Sequence, residues 1–346
     1  MPLLIDRGGT PTLWTRNGYL HTDETQCANG AGHLEIALIN NMPDAAIEDT
    51  EMQFFGLLGA AAGRISIHAK LYSISSVPRS ERAENYFKSH YNGVEELLSR
   101  RFDGVIITGT EPKLADLRQE PYWGALTEVM DWAEENTSST ILSCLAAHAG
   151  VLHSDGIGRS PLGHKRFGVF DHRRECQHPL TDNNSQPIRI PHSRWNEVRE
   201  DALYACGYDV LTKSQEAGVD LFVKHKKQSL FVHFQGHPEY GERTLLKEYR
   251  RDVKRYLRQE RDNYPLAPHG YFDATANELI NKFQTRVMAD RREEIIESFP
   301  ESEVAYTLEH RWRASATSIY KNWLQYMISK RLDAPLTAAM ATVGRS

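Results

Sequence analysis

Cys144 lies in the run TILSCLAAHAGVL, from Thr140 to Leu152, where a short apolar strand, ILS, passes at once into small and apolar residues at helical spacing. A cysteine at such a turn presents its sulfur to the positive end of the following helix, which stabilises a thiolate. The N–H groups of that first turn, Leu145 among them, have no helical partner and can meet a developing oxyanion. The alternative is an inert buried cysteine, since free thiols are among the most buried groups. Further along, SLFVHFQGHPEYG sets His237 and Glu239 directly after an apolar strand, with Pro238 between them to fix the turn. A thiol nucleophile needs a base and a group that orients it: Glu239 holds the tautomer while His237 takes the proton. Taken together, the three residues predict a Cys-His-Glu triad and acyl chemistry on sulfur.

The elements that must carry this triad can be read along the chain. LEIALIN, Leu34 to Asn40, has the unbroken apolar character of a parallel strand covered on both faces. A turn, NMPD, precedes a helical stripe of Ile47, Phe54, Phe55, Leu57 and Leu58. Arg64 to Ile74 alternates as a second strand, with a polar helical segment predicted over about Ser80 to Arg100. FDGVIITGTEP supplies a third strand ending at Gly109, whose loop offers either a second oxyanion donor or only a tight turn. PYWGALTEVMDWAEEN then leads as a helix into the Cys144 strand. The alternation predicts an α/β fold, a doubly wound and mostly parallel sheet with ligands at the carboxyl ends of its strands.

Beyond the Cys144 helix, KRFGVFDH, RIPHSRWNEV, YDVLTKS, GVDLFVKH and SLFVHFQG read as an antiparallel meander that delivers His237. A basic amphipathic helix, GERTLLKEYRRDVKRYLRQE, follows. The resulting division is an N-terminal arm over 1–32, a catalytic domain over 33–260, and a helical extension over 261–346 packed on the core. The stretch near 277–303 reads as an insertion or a contact within a homodimer.

Composition narrows the function further. With 346 residues, 40% hydrophobic and 25% charged, the chain can bury a large core. A net charge of −5 gives no general attraction for nucleic acid or anionic membrane, so small molecules are the expected partners. The start of the chain lacks a basic region followed by an apolar one, and no run of about eighteen apolar residues occurs, so a cytoplasmic location is expected. Cys27, Cys144, Cys176 and Cys206 show no C-x-x-C spacing, which predicts neither a metal site nor a disulfide framework.

LEIALINNMPD, FDGVIITGT, PYW, SCLAAHAGVL, GVFDH, PHSR, GHPEY, RRDV, HRWR and NWLQY together resemble the homoserine O-succinyltransferase family, whose fold is that of the class I glutamine amidotransferases. The resemblance implies that Cys144 accepts an acyl group from acyl-CoA as a thioester and passes it to the hydroxyl of L-homoserine, with His237 as base and Glu239 as its orienter. It implies no cofactor beyond the acyl-CoA co-substrate. Lys165, Ser193, Arg194 and Arg251 match binding positions, Arg251 on the arginine that holds the amino-acid carboxylate. Four residues past Gly109, Lys113 occupies the position that selects the acyl group: glycine there goes with succinyl and glutamate with acetyl transfer. A cation cannot repel a succinyl carboxylate, so succinyl-CoA is the expected donor; the other reading has Lys113 facing solvent or a CoA phosphate. Departures from the family pattern are Asp44, Ala45 and Ala46 in place of a lysine-rich turn, His148 in place of a glutamine, and Phe167 in place of a serine. The alternatives are acetyl transfer, with homoserine or serine as acceptor, and a class I glutaminase, against which Ala146 and His148 stand where glycine and glutamine are usual.

Overall fold

The computed structural model describes residues 3–7, 10–15, 18–21 and 32–333. The chain opens with β1 (Leu3–Arg7), β2 (Thr10–Thr15) and β3 (Gly18–His21), then β4 (His33–Ile39), α1 (Ile47–Ala61), β5 (Ser66–Ser73), α2 (Glu81–His90), β6 (Asn92–Gly93), α3 (Val94–Leu98) and β7 (Phe102–Ile107). Next come α4 (Trp123–Asn136), β8 (Thr137–Ser143), α5 (Leu145–Asp155), β9 (Ser160–Arg174), β10 (Ile188–Glu197) and α6 (Glu200–Ala205). After them lie β11 (Asp209–Val210), β12 (Thr212–Ser214), β13 (Gly218–Val219), β14 (Leu221–Lys226) and β15 (Ser229–Phe234). The chain closes on α7 (Thr244–Leu257), α8 (Ala274–Ala289), α9 (Glu301–Tyr306) and α10 (Arg313–Asp333).

The main sheet runs β11-β14-β15-β8-β7-β4-β5-β1-β2-β3, with β6 beside β5. From β15 across to β1 the neighbours are parallel, and antiparallel strands extend both margins. Chain order reverses at β4, which has β5 on one side and β7 on the other, as in a doubly wound sheet. The apolar runs LEIALI and FDGVII need cover on both faces. Residues of α1 and α10 pack on one side of the sheet, and those of α3, α4 and α5 on the other. Close approach of α5 to β8 explains the small residues after Cys144: a Cβ on Gly150 would lie 2.4 Å from Leu142 Cδ1.

Three readings change. β1 is a strand of the main sheet, with Leu3 and Ile5 buried against β5, whereas the run LLI is too short to betray its place among polar neighbours. The helix expected over Ser80 to Arg100 is interrupted at Tyr91, whose hydroxyl is drawn inward to Glu51 Oε1 (2.7 Å) and Asn40 Nδ2 (2.9 Å), after which Asn92 and Gly93 pair with β5. The meander is divided between two sheets. β9, β10, β12 and β13 form a sheet of their own, while β11, β14 and β15 join the main one, with β15 parallel to β8.

That second sheet is a partition. Ile188 and Ile190 of β10 belong to the central core, whereas Phe167 and Val169 of β9 pack with α7, α8 and α9 in a separate cluster. The segment near 277–303 is therefore built against α7 through Ile280, Phe283, Val287, Ile296 and Phe299. Residues 334–346 and most of 1–31 lie outside the described residues. No described helix is long and apolar enough to cross a membrane.

Candidate active site

Cys144 follows the last residue of β8, and its backbone is forced to φ 50°, ψ −106°, a strained conformation for a residue with a Cβ. Its N–H is spent on Phe234 O of the neighbouring parallel strand at 2.8 Å, so β8 and β15 end in register. The residue is partly exposed.

β15 delivers the base. Past Phe234 the chain turns through Gly236, whose N–H donates to Asp220 Oδ1 at 2.7 Å and where a Cβ would meet Pro191 O at 2.8 Å. The His237 N–H then donates to Pro191 O at 2.8 Å, which pins the turn to β10. The imidazole hydrogen-bonds Cys144 on one side, and on the other its Nδ1 lies 2.8 Å from Glu239 Oε1. Glu239 Oε1 also accepts from Ser143 Oγ at 3.4 Å, while its Oε2 is buried with no hydrogen-bond partner among the described residues. Burial works to depress the His237 pKa, but the charges of Cys144 and Glu239 outweigh it and raise that pKa well above the ordinary range. A protonated imidazole between Cys144 and Glu239 is the state this favours.

Gly109 lies where a side chain would collide with α5: a Cβ there would sit 2.8 Å from Leu145 Cβ and 3.0 Å from Leu145 N. The loop after β7 therefore reaches the first turn of the Cys144 helix. The Gly109 backbone and the Leu145 N–H are thereby close neighbours beside Cys144.

A second group of polar residues adjoins the triad. Tyr240 stacks on His237 with ring centroids 4.2 Å apart, and its hydroxyl donates to Glu248 Oε1 of α7 at 2.7 Å. The other oxygen, Glu248 Oε2, accepts from Ser193 Oγ and, at 3.3 Å, from Lys165 Nζ, which also reaches Asp252 Oδ2 at 2.9 Å. Burial raises the Glu248 pKa, but Lys165, Ser193 and Tyr240 together hold it below the usual carboxylate value.

The homoserine O-succinyltransferase family model matches residues 9–334. The chain belongs to that family. Homoserine O-succinyltransferase of Rhodopseudomonas palustris is 40% identical over 333 residues, 95% of this chain and all of the relative. That of Bradyrhizobium japonicum is 42% identical over 299 residues, covering 85% and 90% of the two chains. Among solved structures, a glutamine amidotransferase from Methylobacillus flagellatus aligns with a TM-score of 0.47 at 12% identity, over 85% of this chain and 96% of its own.

The remaining positions singled out by the family motifs separate into two sets. Lys165, Ser193 and Arg251 meet around Glu248: Arg251 Nη2 is 3.5 Å from Glu248 and its Nε 3.6 Å from Asp252, with its side chain 52% exposed and open to a ligand. Arg194 lies apart from them, because β10 alternates. Its buried guanidinium points into the core, where it donates to His192 Nδ1 (3.3 Å), Asn196 O (2.8 Å) and Ala217 O (2.5 Å). Lys113 stands on the loop beyond Gly109; its N–H and that of Leu114 both donate to buried Glu120 Oε1 at 2.6 Å, leaving its side chain exposed. Neighbouring Glu111 instead faces Arg255 at 3.9 Å.

The family departures are absorbed structurally. His148 is buried with its Nε2 3.1 Å from Gln235 Oε1, and burial, aided by Arg194, lowers its pKa to about 3. Asp44 accepts from Ser80 N at 2.9 Å and joins its loop to the start of α2. Phe167 lies under the Lys165 ammonium, 3.9 Å from ring centroid to nitrogen.

A buried trio, His172, His192 and Asp220, has its donor atoms close enough to suggest a metal site. The hydrogen bonds argue for another use. Arg194 Nε–H donates to His192 Nδ1, which puts the His192 proton on Nε2, facing His172 Nε2 at 3.1 Å. His192 thus has no lone pair left for a cation.

Glu248 and Tyr240, which join this group to His237, were not singled out from sequence; the signal for Glu248 is its place between Leu245 and Tyr249 on an amphipathic helix.

Proposed function

We propose that this chain transfers a succinyl group from succinyl-CoA to the hydroxyl of L-homoserine through a thioester on Cys144. What carries the reading is the grouping of Cys144, His237 and Glu239 beside the close contact of the Gly109 loop with Leu145, in a member of a family of acyltransferases. In the first half-reaction the Cys144 thiolate attacks the thioester carbonyl, and the oxyanion faces the N–H groups of Leu145 and Gly109. Collapse expels CoA as its thiolate, which takes the proton of His237. In the second half-reaction neutral His237 accepts the homoserine hydroxyl proton as that oxygen attacks the acyl carbon. Collapse releases O-succinylhomoserine and restores the thiolate and imidazolium. Protein and substrate groups alone carry every proton and electron pair in this cycle.

Arg251 offers a two-pronged, partly open guanidinium to the amino-acid carboxylate, with Lys165 and Ser193 set by Glu248 beside it. Lys113 favours an anionic acyl group at the loop that bears it. A homodimer in the cytoplasm completes the proposal. The test is to incubate the enzyme with succinyl-CoA and homoserine while following free CoA thiol, and separately with glutamine while following ammonia. Mass spectrometry after brief exposure to succinyl-CoA alone should find the acyl adduct on the Cys144 peptide. Ammonia release without CoA release, or an adduct on Cys176 or Cys206, overturns the reading.

A further inference from the structure

Arg159 lies between α5 and β9, half-buried, and no role has been given to it so far. One nitrogen, Nη2, donates to Leu114 O at 3.3 Å and Ala115 O at 3.1 Å, so it grips the loop two residues beyond Lys113. Its other nitrogens make no hydrogen bond among the described residues, yet neither is sealed from solvent. Among the described residues no carboxylate lies within ion-pair distance of it. Asp116 turns to Arg118 at 2.9 Å, and Glu120 spends Oε1 on the amides of Lys113 and Leu114.

A guanidinium that loses much of its water and gains no counter-ion is costly unless an anion arrives from outside. The place is set by the elements on either side. The loop begins at Gly109, against the Leu145 amide, and a few residues later its carbonyls rest on Arg159. Cys144 and His148 both lie within the field of Arg159, and burial lowers the Arg159 pKa against the pull of neighbouring Tyr122, Glu120, Asp116 and Cys144. Chemistry on Cys144 would therefore take place within reach of an unpaired, forked cation.

We infer that Arg159 is the seat of the terminal carboxylate of the acyl group, bound through the Nε and Nη1 N–H groups that the loop leaves free, with Lys113 as a second, outer cation. This rests on the acyl-transfer reading above and names the residue that gives it donor specificity. Of the anions on a succinyl-CoA molecule, the acyl carboxylate lies a short chain from the reacting carbon, whereas the phosphates are separated from it by the whole pantetheine arm. Nη1 and Nε keep N–H donors that the loop carbonyls do not take, and these suit a charge-assisted hydrogen bond to a carboxylate oxygen.

The experiment compares kcat/KM for succinyl-CoA and acetyl-CoA in wild type, Arg159→Gln and Arg159→Lys, at saturating homoserine. Acetyl-CoA carries the same phosphates and no acyl carboxylate, so it separates the two sources of negative charge. Arg159→Gln should lose roughly 10- to 100-fold with succinyl-CoA, the worth of one charge-assisted pair, and less than about threefold with acetyl-CoA. Arg159→Lys should recover part of the loss. Equal losses with both donors would make Arg159 a strut for the loop, or a phosphate ligand, and overturn the assignment. A wild type active with succinyl-CoA whose donor ratio survives in Arg159→Gln overturns this inference alone; a wild type inert toward succinyl-CoA overturns the reading beneath it as well.

Discussion

His237 is held between two negative groups, and the division of labour between them makes a graded prediction. Glu239 orients the ring through Nδ1 and stabilises its positive charge, while the ring itself moves the proton. Glu239→Gln keeps the shape and removes the charge, so kcat should fall by roughly 10²- to 10³-fold, whereas His237→Ala should fall by a further order of magnitude or more. The raised pKa of His237 adds a sign that can be checked. Its stabilising contribution is fully present below the ordinary histidine pKa of about 6.5 and disappears only as pH rises through the higher folded value. The stability gap between wild type and His237→Gln, followed by thermal unfolding from pH 6 upward, should accordingly narrow with increasing pH. A gap that widens would mean the resting pair is neutral.

At the scale of elements, the contact between the Gly109 loop and α5 is the most exacting, because backbone meets backbone. Gly109→Ala must push that loop away from Leu145 by several tenths of an ångström. A drop of about 10- to 100-fold in kcat with a shift of only a few degrees in Tm is expected, since one oxyanion donor is displaced and little core is lost. Equal damage to Tm would reduce Gly109 to a packing residue. A different contact tests stability alone: Trp323 Nε1 of α10 donates to Ser139 Oγ of β8 at 2.9 Å inside the core. Ser139→Ala leaves that donor unsatisfied and should cost about 1 to 3 kcal/mol in denaturant unfolding, with kcat preserved.

These elements differ in how far the sequence discloses them. Parallel strands covered on both faces are unbroken apolar runs, so LEIALIN, FDGVIITG and TILS could be read directly, and with them the sheet that carries Cys144 and Gly109. His237 and Glu239 were legible because both sit on one short turn. The grouping of Lys165, Ser193 and Arg251 needed the family motifs, and what joins them, Glu248, depends on β9 and β10 forming a partition between the core and α7. Strand alternation shows that neighbours on β10 face opposite ways; it does not show what lies on each side. Arg194 was placed with the binding residues by the PHSR motif; its buried guanidinium donates to His192, Asn196 and Ala217.

Across the whole molecule, neutral histidines are built into the interior around the site. Burial lowers both His148 and His233 to about 3, the first helped by Arg194 and the second by Lys226, while His172 and His192 are lowered in the same direction, chiefly by burial. Each stays uncharged in the folded protein under conditions where the unfolded chain, titrating near 6.5, binds a proton. A depressed histidine therefore contributes nothing unfavourable above about pH 6.5, and stability drains away as pH falls from there toward the folded value. Each such group takes up one proton on unfolding, a slope of about 1.4 kcal/mol per pH unit, so His148 and His233 alone set a slope of about 2.7 kcal/mol per unit between roughly pH 6 and pH 4. Carboxylates with lowered pKa values, such as Glu248 and Asp155, add to the loss only once pH approaches their own range. Unfolding free energy by urea at several pH values should thus begin to fall well above the carboxylate range. Replacing His148 by Gln, which fills similar space beside Gln235, should flatten the slope by about one proton's worth. A slope unchanged in His148→Gln would mean that this histidine is protonated in the folded core, and that the network of Arg194, His148 and Gln235 behind the active-site helix carries a charge.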